Sequence, residues 1–154
     1  MFGMSSKIRS LNESDLEHVE RIAQSFPDNS WTRGVFKDCL KAGYQSYGLF
    51  DAKTHDLLGF IVALVQDDDC QLMNIGVDQQ CRRGGVGSRL LQHLTSYLSN
   101  QQVSRLILEV RQSNTAAISF YEAHGFLQLG IRKGYYPLDK GKEDALIYYI
   151  NITN

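Results

Sequence analysis

Apolar positions along this chain change their period several times, and each change marks an element. Residues 7–11 read as an opening strand, with Ile8 and Ser10 alternating against Arg9 and Leu11. Leu16, Val19, Ile22 and Ala23 then recur at helical spacing, and Ser14-Asp15-Leu16-Glu17 before them matches a capping box, serine capping and glutamate reaching back. Phe26-Pro27-Asp28-Asn29-Ser30 breaks that helix. A second helix is expected over 31–40, with Trp31, Val35, Phe36, Cys39 and Leu40 on one face, although Gly34 costs it about 1 kcal/mol relative to alanine. Lys41-Ala42-Gly43 stops it. Residues 44–50 and 57–65 are predicted strands joined by a polar hairpin loop, and 66–69 form an acidic turn. Leu72, Met73, Ile75 and Val77 make a short strand; Val86, Leu90, Leu91, Leu94, Tyr97 and Leu98 make the face of a longer helix. After a polar break at 99–102, residues 105–110 are a strand. Ser113 or Asn114 then caps a short helix containing Ala117, Ile118, Phe120 and Tyr121, and Gly125 stands at its C-terminal cap position. Residues 126–131 and 145–150 are the last strands, with 132–144 expected as a loop. The order β-α-α-β-β-β-α-β-α-β-β predicts an α/β chain, a mixed sheet with helices on both faces. Its length of 154 residues fits one domain, 1–154, with a sizeable core.

The turn between the middle strand and the long helix stands out chemically. Arg82-Arg83-Gly84-Gly85-Val86-Gly87-Ser88-Arg89 combines three glycines, which let a ligand approach the backbone, with three arginines. The helix it opens offers unpaired N–H groups and a partial positive charge. The combination points to an anion site, for a pyrophosphate above all. Two phosphate motifs fail on named residues. A P-loop needs lysine after Gly87, where Ser88 stands; a dinucleotide fingerprint needs glycine at Leu90. The structural alternative is a tight turn that uses glycine for geometry alone.

Composition narrows the picture further. The net charge of −1 gives no reason to expect nucleic acid or a membrane surface as partner, and no run approaches a membrane span. Residues 1–7 lack the apolar core of a signal peptide, so a cytoplasmic location is expected. Cys39, Cys70 and Cys81 form neither a zinc pattern nor an even disulfide framework, and no histidine partners them. His18, His55 and His93 carry no metal spacing, and His124 reads as a surface group at a helix C-terminus. Asp67-Asp68-Asp69 lacks the spaced oxygens of a calcium loop and reads as a solvated turn. No metal is expected.

Arg82-x-x-Gly85-x-Gly87 resembles the acetyl-CoA signature of the GNAT superfamily of N-acetyltransferases. The resemblance becomes denser in Leu108-Glu109-Val110-Arg111, Asn114, Ala117-Ile118, Tyr121-Glu122 and Gly125-Phe126. Together with Asn74-Ile75-Gly76-Val77, Tyr135-Tyr136-Pro137 and Glu143-Asp144-Ala145, these stretches are most similar to the RimI group, the ribosomal-protein alanine N-acetyltransferases. Between Phe26 and Trp31 the chain carries extra residues relative to that group. The resemblance implies a GNAT-like fold, a mostly antiparallel sheet splayed at its middle strands. It implies acetyl-CoA as co-substrate, held by Ile75, Gly76, Val77, Arg82, Arg83, Gly84, Gly85, Val86, Gly87, Ser88 and Asn114. It further implies Glu109 as proton acceptor, Tyr121 as proton donor to the coenzyme sulfur, and Tyr135 and Tyr136 over the acceptor. The implied acceptor is a protein N-terminus, that of ribosomal protein S18.

Each role has a plainer structural alternative. Glu109 sits on an apolar strand whose neighbours point to the other face, where it either acts as a base or pairs with an arginine. Tyr121 is either a proton donor or a core aromatic. Asn114 caps a helix, contacts the cofactor, or both. Tyr135 and Tyr136 shape an acceptor pocket or pack on the core. An α-amine, with a pKa near 8, is neutral far more often at pH 7 than a lysine near 10.4, which favours an N-terminus as acceptor. A lysine or small-amine acetyltransferase and a non-catalytic acyl-CoA-binding domain stay open as alternatives.

Overall fold

The computed structural model describes residues 6–138 and 141–152. Residues 1–5 of the N-terminal stretch and residues 139–140 of the expected 132–144 loop lie outside it. The elements follow the predicted order: β1 Ser6–Ser10, α1 Leu16–Gln24, α2 Arg33–Lys41, β2 Gln45–Asp51, β3 Leu57–Gln66, β4 Asp69–Val77, α3 Val86–Asn100, β5 Arg105–Arg111, α4 Thr115–Ala123, β6 Leu127–Leu138 and β7 Gly141–Asn151. The strands form one sheet in the order β1-β2-β3-β4-β5-β7-β6. Every neighbouring pair is antiparallel except β4 and β5, which run parallel.

Two apolar clusters cover the two faces. Leu16, Val19, Ile22 and Ala23 of α1 and Phe36 and Cys39 of α2 pack on Phe50, Leu57, Phe60 and Val62. On the other face Leu90, Leu91, Leu94 and Leu98 of α3 and Tyr121 of α4 pack on Ile61, Cys70, Leu106, Leu108 and Val110. Residue alternation sends consecutive strand positions to opposite clusters, so β3, apolar up to its last residue Gln66, is buried on both sides from Leu57 to Ala63. Gly59 and Gly76 allow close approach at the centre. A Cβ on Gly59 would stand 2.7 Å from Val86 and 3.0 Å from the Gly76 carbonyl, and one on Gly76 would stand 2.6 Å from the Phe60 ring.

Four expectations need correction. The capping box lies two residues earlier than Ser14 and Glu17. Asn12 accepts from the Ser14 amide at 3.1 Å, and Asp15 accepts from the Asn12 amide at 2.8 Å. Asp15 gains more there, because Arg9 grips it through two nitrogens at 2.8 and 3.0 Å. Burial alone would raise the Asp15 carboxyl, but the Arg9 and Asn12 bonds outweigh it and hold the pKa below its ordinary value. The second helix starts after Thr32, whose hydroxyl caps it, so Trp31 precedes it and Val35 is 38% exposed. The last two strands run far past 131 and begin before 145, so Tyr135 and Tyr136 belong to a long bulged hairpin, with register shifts between Gln128 and Gly130 and between Arg132 and Tyr136. Arg89 turns away from the glycine loop and donates to the Ser6 carbonyl of β1 at 3.3 Å.

The tight contact of α3 on β3 makes a direct forecast. Gly59→Ala forces Val86 and a backbone oxygen to shift, so it should lower unfolding free energy by about 1–3 kcal/mol in urea titrations. An unchanged midpoint would mean the helix is not pressed against the strand.

Candidate active site at the parting of β4 and β5

β4 and β5 pair at only three positions, Asp69 with Arg105, Cys70 with Leu106 and Gln71 with Ile107. Beyond them β4 stays with β3, where Ile75, Gly76 and Val77 oppose Ile61, Phe60 and Gly59. β5 stays with β7, where Leu108 to Arg111 oppose Tyr148 to Ala145. The two strands therefore part, and among the described residues no strand occupies the β5-facing edge of Ile75-Gly76-Val77. An open edge of this kind presents backbone donors and acceptors to an extended ligand.

Strand alternation divides the chemistry of the gap between the two faces. Leu106, Leu108 and Val110 enter the core under α3 and α4, which sends Glu109 and Arg111 to the opposite face. Glu109 is 15% exposed and pairs with Arg132 on β6 at 3.3 Å; Arg132 itself is 55% exposed. Tyr121 belongs to the α3–α4 face, 7% exposed and set between Phe120 and Phe126 at ring distances of 5.4 and 5.5 Å. Burial pushes its hydroxyl pKa well above the ordinary tyrosine value, so it stays protonated at neutral pH. Among the described residues that hydroxyl has no hydrogen-bond partner.

The glycine loop lies at the end of β4. Gly85 adopts φ 82° and Arg83 φ 68°, both left-handed, and α3 begins at Val86 with no side-chain cap on its first amides. Those donors stay open for an anion. A Cβ on Gly87 would come within 3.3 Å of the Phe120 ring, so glycine there lets α3 meet α4. Arg82 and Arg83 are exposed, and the Arg82 guanidinium rests over Phe26, 4.5 Å from its centroid. Ser88 meets His124 Nε2 at 2.8 Å, and His124 Nδ1 meets the Phe120 carbonyl at 2.7 Å. His124 is thus a half-buried link between α3 and α4, not the surface group the sequence suggests. Asn114 caps α4, accepting from the Ala117 amide at 3.2 Å, which is the structural half of its expected role.

Arg111 organises the far end of the gap, and sequence reasoning gave it no role. It reaches Glu143 on β7 at 3.1 Å and Asp28 at 3.7 Å, and lies 4.4 Å from the centroid of the Tyr136 ring. Glu143 also accepts from the Ser113 amide at 3.1 Å and the Ser113 hydroxyl at 3.0 Å. Burial would raise its carboxyl; the Ser113 and Arg111 bonds win and hold it below the ordinary range. Burial, then the charge of Glu109, raises the Tyr136 hydroxyl. Tyr135 is 50% exposed, its ring 5.0 Å from Tyr136. Asn29 and Asn74 exchange amide bonds at 2.9 and 3.3 Å across 45 residues of sequence. The period of β5 could have found Arg111, since it shares a face with Glu109. Nothing local announces the Asn29–Asn74 pair.

The cysteines are buried and free, and burial pushes Cys70 to about 12, far from a reactive thiolate. Asp69, one of the three consecutive aspartates, is engaged by Arg105 at 3.1 Å.

Comparison with known proteins agrees with this geometry. Residues 11–126 match the acetyltransferase (GNAT) family. The chain is 38% identical over 149 residues to the ribosomal protein bS18-alanine N-acetyltransferase of Escherichia coli K12, covering 95% of this chain and 97% of that one. Its structure superposes with a TM-score of 0.86 on the crystal structure of the ribosomal-protein-S18-alanine N-acetyltransferase from Escherichia coli, at 36% identity over 97% of this chain and 95% of that one. Ard1 from Thermoplasma volcanium superposes with a TM-score of 0.87 at 26% identity, over 98% of this chain and all of that one, 100%. A sheet parted in this way is therefore the frame of an acyltransferase. The chain belongs to the acetyltransferase (GNAT) family.

Buried tyrosines set the alkaline limit of the fold, and Tyr148 is one of them, raised by burial and by its bond to Glu122. Tyr47 is pushed to about 12, by burial first, and Tyr121 is raised by burial as well. A folded pKa above the unfolded one contributes stability that is complete below pH 10 and declines as pH rises toward the folded value. Urea midpoints should therefore fall above about pH 10, with a slope approaching 1.4 kcal/mol per pH unit for each such tyrosine. In Tyr121→Phe the fall should be shallower, and an equal slope in that variant would contradict the burial argument.

Proposed function

We propose that this protein transfers the acetyl group of acetyl-CoA to the α-amine of a protein N-terminus, that of ribosomal protein S18. The carrying observation is that β4 and β5 part after three pairs, with Glu109 on one face of the sheet and Tyr121 in the apolar cluster on the other. An acyl thioester lying along the open edge of Ile75, Gly76 and Val77 would be reached by a base from one side and an acid from the other. The relatives named for alanine N-acetyltransfer cover nearly the whole chain, which supports the acceptor assignment.

In this reading the diphosphate of the coenzyme rests on the first amides of α3, with Gly84, Gly85 and Gly87 leaving room and Arg82, Arg83 and Ser88 beside it. Val86 opens the helix, and Asn114 stands where α4 begins. Backbone amides of the β4 edge orient the thioester and stabilise the oxyanion that forms on its carbonyl. Glu109 takes the proton of the attacking amine, directly or through one water, as the C–N bond forms. Tyr121 gives its proton to the sulfur as the C–S bond breaks. Its buried, protonated hydroxyl suits that step. The ion pair of Glu109 with a half-exposed arginine is weak enough to open when an amine arrives. Tyr135 and Tyr136 border the acceptor path.

The protonation argument separates an N-terminal acceptor from a lysine. At pH 7 roughly a tenth of α-amines are neutral but fewer than one lysine in a thousand, so one carboxylate suffices for the former. An Ala-initiated peptide assayed beside its N-blocked, lysine-containing counterpart tests this, and preferential use of the blocked peptide would overturn it.

Glu109→Gln and Tyr121→Phe should each lower turnover by about 100-fold or more. Acetyl-CoA affinity by calorimetry should change by less than about two-fold, because both groups act in the transition state. Turnover near wild type in both variants would remove the assigned roles.

A further inference from the structure

Ser88 and His124 share a hydrogen bond whose direction follows from the atoms on either side of it. His124 closes α4, and its Nδ1 lies 2.7 Å from the Phe120 carbonyl. A carbonyl only accepts, so Nδ1 carries a proton and donates it. In the neutral ring Nε2 is then a lone pair, and it accepts from the Ser88 hydroxyl at 2.8 Å. Ser88 has one hydroxyl proton, and neutral His124 uses it.

Ser88 stands where that proton counts. It is the third residue of α3, in the turn whose first amides have no side-chain cap. The same turn is pressed on α4 at Gly87, where a Cβ would meet the Phe120 ring at 3.3 Å, and the Phe120 and His124 rings lie 4.4 Å apart. With neutral His124, Ser88 offers an anion in the loop nothing but lone pairs. With His124 protonated, both ring nitrogens donate, the Ser88 oxygen accepts from Nε2, and the hydroxyl proton is free to point at the anion. The two helix ends act on the charged ring in opposite senses. The carbonyl end of α4 favours it, and the amide end of α3 opposes it until an anion is bound there.

The other groups around the ring are engaged elsewhere or do not titrate. On α4, Glu122 accepts from the Tyr148 hydroxyl of β7 at 2.9 Å, and Tyr121 is buried between Phe120 and Phe126. On α3, Arg89 is turned to the Ser6 carbonyl. Arg82 and Arg83 of the loop are exposed. The groove that His124 borders is lined by Leu91, Gln92 and Thr95 of α3 with Phe126 and Ile150, and His124 is its only titratable side chain.

We propose that His124 is a positioning residue for the coenzyme diphosphate: by taking up a proton at Nε2 it converts the Ser88 hydroxyl from a donor to the ring into a donor to the phosphate. This rests on the reading above that the loop holds the diphosphate of acetyl-CoA. The proton comes from solvent and stays on the ring while the coenzyme is bound. Protonation of His124 and coenzyme binding therefore favour each other by the same factor. The coenzyme binds more tightly as pH falls through the histidine range, and binding draws protons from the buffer.

The test measures acetyl-CoA affinity by calorimetry from about pH 8.5 to about pH 5.5 for wild type, His124→Gln and Ser88→Ala. The 3′-phosphate of the ligand titrates in the same range, but it is common to all three proteins, so the comparison between them cancels it. Over that fall in pH, wild type should gain about four-fold or more in affinity relative to His124→Gln, near the lower bound for coupled sites. At neutral pH, titrations in two buffers of different ionisation enthalpy should show wild type taking up more protons on binding than His124→Gln. Ser88→Ala keeps the imidazole and its bond to Phe120, so it decides the matter alone if the glutamine variant fails to fold; its pH dependence should fall well below that of wild type. A merely structural link would weaken affinity by one factor at every pH, and parallel profiles in wild type and the variants overturn the proposal. So does a Ser88→Ala profile as steep as wild type. If wild type binds no acetyl-CoA at any pH, it is the acetyl-CoA reading that falls, and the proposal with it.

Discussion

The structure depends on a hydrogen-bond ladder that stops. Two parallel strands in the middle of a sheet would ordinarily stay paired along their length, because unpaired backbone groups inside a protein are costly. Here β4 and β5 separate after three pairs. Each is held away from the other by a partner on its far side. β4 is carried off by β3, with an irregularity between Val62 and Ala63 that turns it, and β5 by seven consecutive pairs with β7. Phe60 stabilises the departure on the β4 side. It is fully buried, stacks edge-on against Phe36 at 5.3 Å, and fills the space that a side chain on Gly76 would need. The glycine of Ile75-Gly76-Val77 is thus required by packing on one side of the strand, whatever lies along its edge.

A parted sheet has two faces, and the sequence distributes different chemistry to each. The α3–α4 side is apolar and closes over Tyr121, where burial keeps a hydroxyl protonated. The opposite side, which β7 and β6 extend beyond β5, holds Glu109, Arg111, Arg132, Glu143 and Tyr136, all in contact with one another or a shared neighbour. The face of Glu109 and the face of Tyr121 are therefore opposite sides of the sheet. This separation follows from the period of two along β5.

That period explains how much of the molecule could be read beforehand. The element order, both helix faces flanking the sheet, the buried stripe of α1 and the glycine turn before α3 are encoded by local spacing, and local spacing is visible in a single sequence. Glu109 could be placed on the face opposite Leu108 and Val110 for the same reason. Apart from the local Thr32 cap that starts α2, the failures are of one kind. The reach of β6 and β7 through Tyr135 and Tyr136 comes from pairing across the hairpin, with bulges that scramble the alternation. The capping box sits at Asn12 because Arg9 of β1 rewards Asp15. His124 bridges to Ser88 across 36 residues, and Asn29 to Asn74 across 45. Contacts between distant segments leave no mark on hydrophobic periodicity, and they assemble much of the Glu109 face of the gap. The glycine loop, one contiguous turn, is the easier to see.

A net charge of −1 conceals an uneven distribution of paired and unpaired charge. At the glycine loop Arg82 and Arg83 stand exposed beside uncapped helix amides, an arrangement that draws an anion. On the Glu109 face of the gap charges of both signs interleave: Asp28 and Glu143 pair with Arg111, Glu109 pairs with Arg132, and Lys133 and Lys142 flank Arg132 and Glu143 on the hairpin. Glu143 is held ionised by Ser113 and Arg111, so its pair with Arg111 persists well below neutral pH. On the proposed reading, unpaired positive charge lies at the loop end, where an anionic coenzyme would be drawn, while the Glu109 face carries its charges in opposed pairs. Arg111 thus takes up two of the carboxylates, Glu143 closely at 3.1 Å and the exposed Asp28 loosely at 3.7 Å, and leaves Glu109 to the half-exposed Arg132.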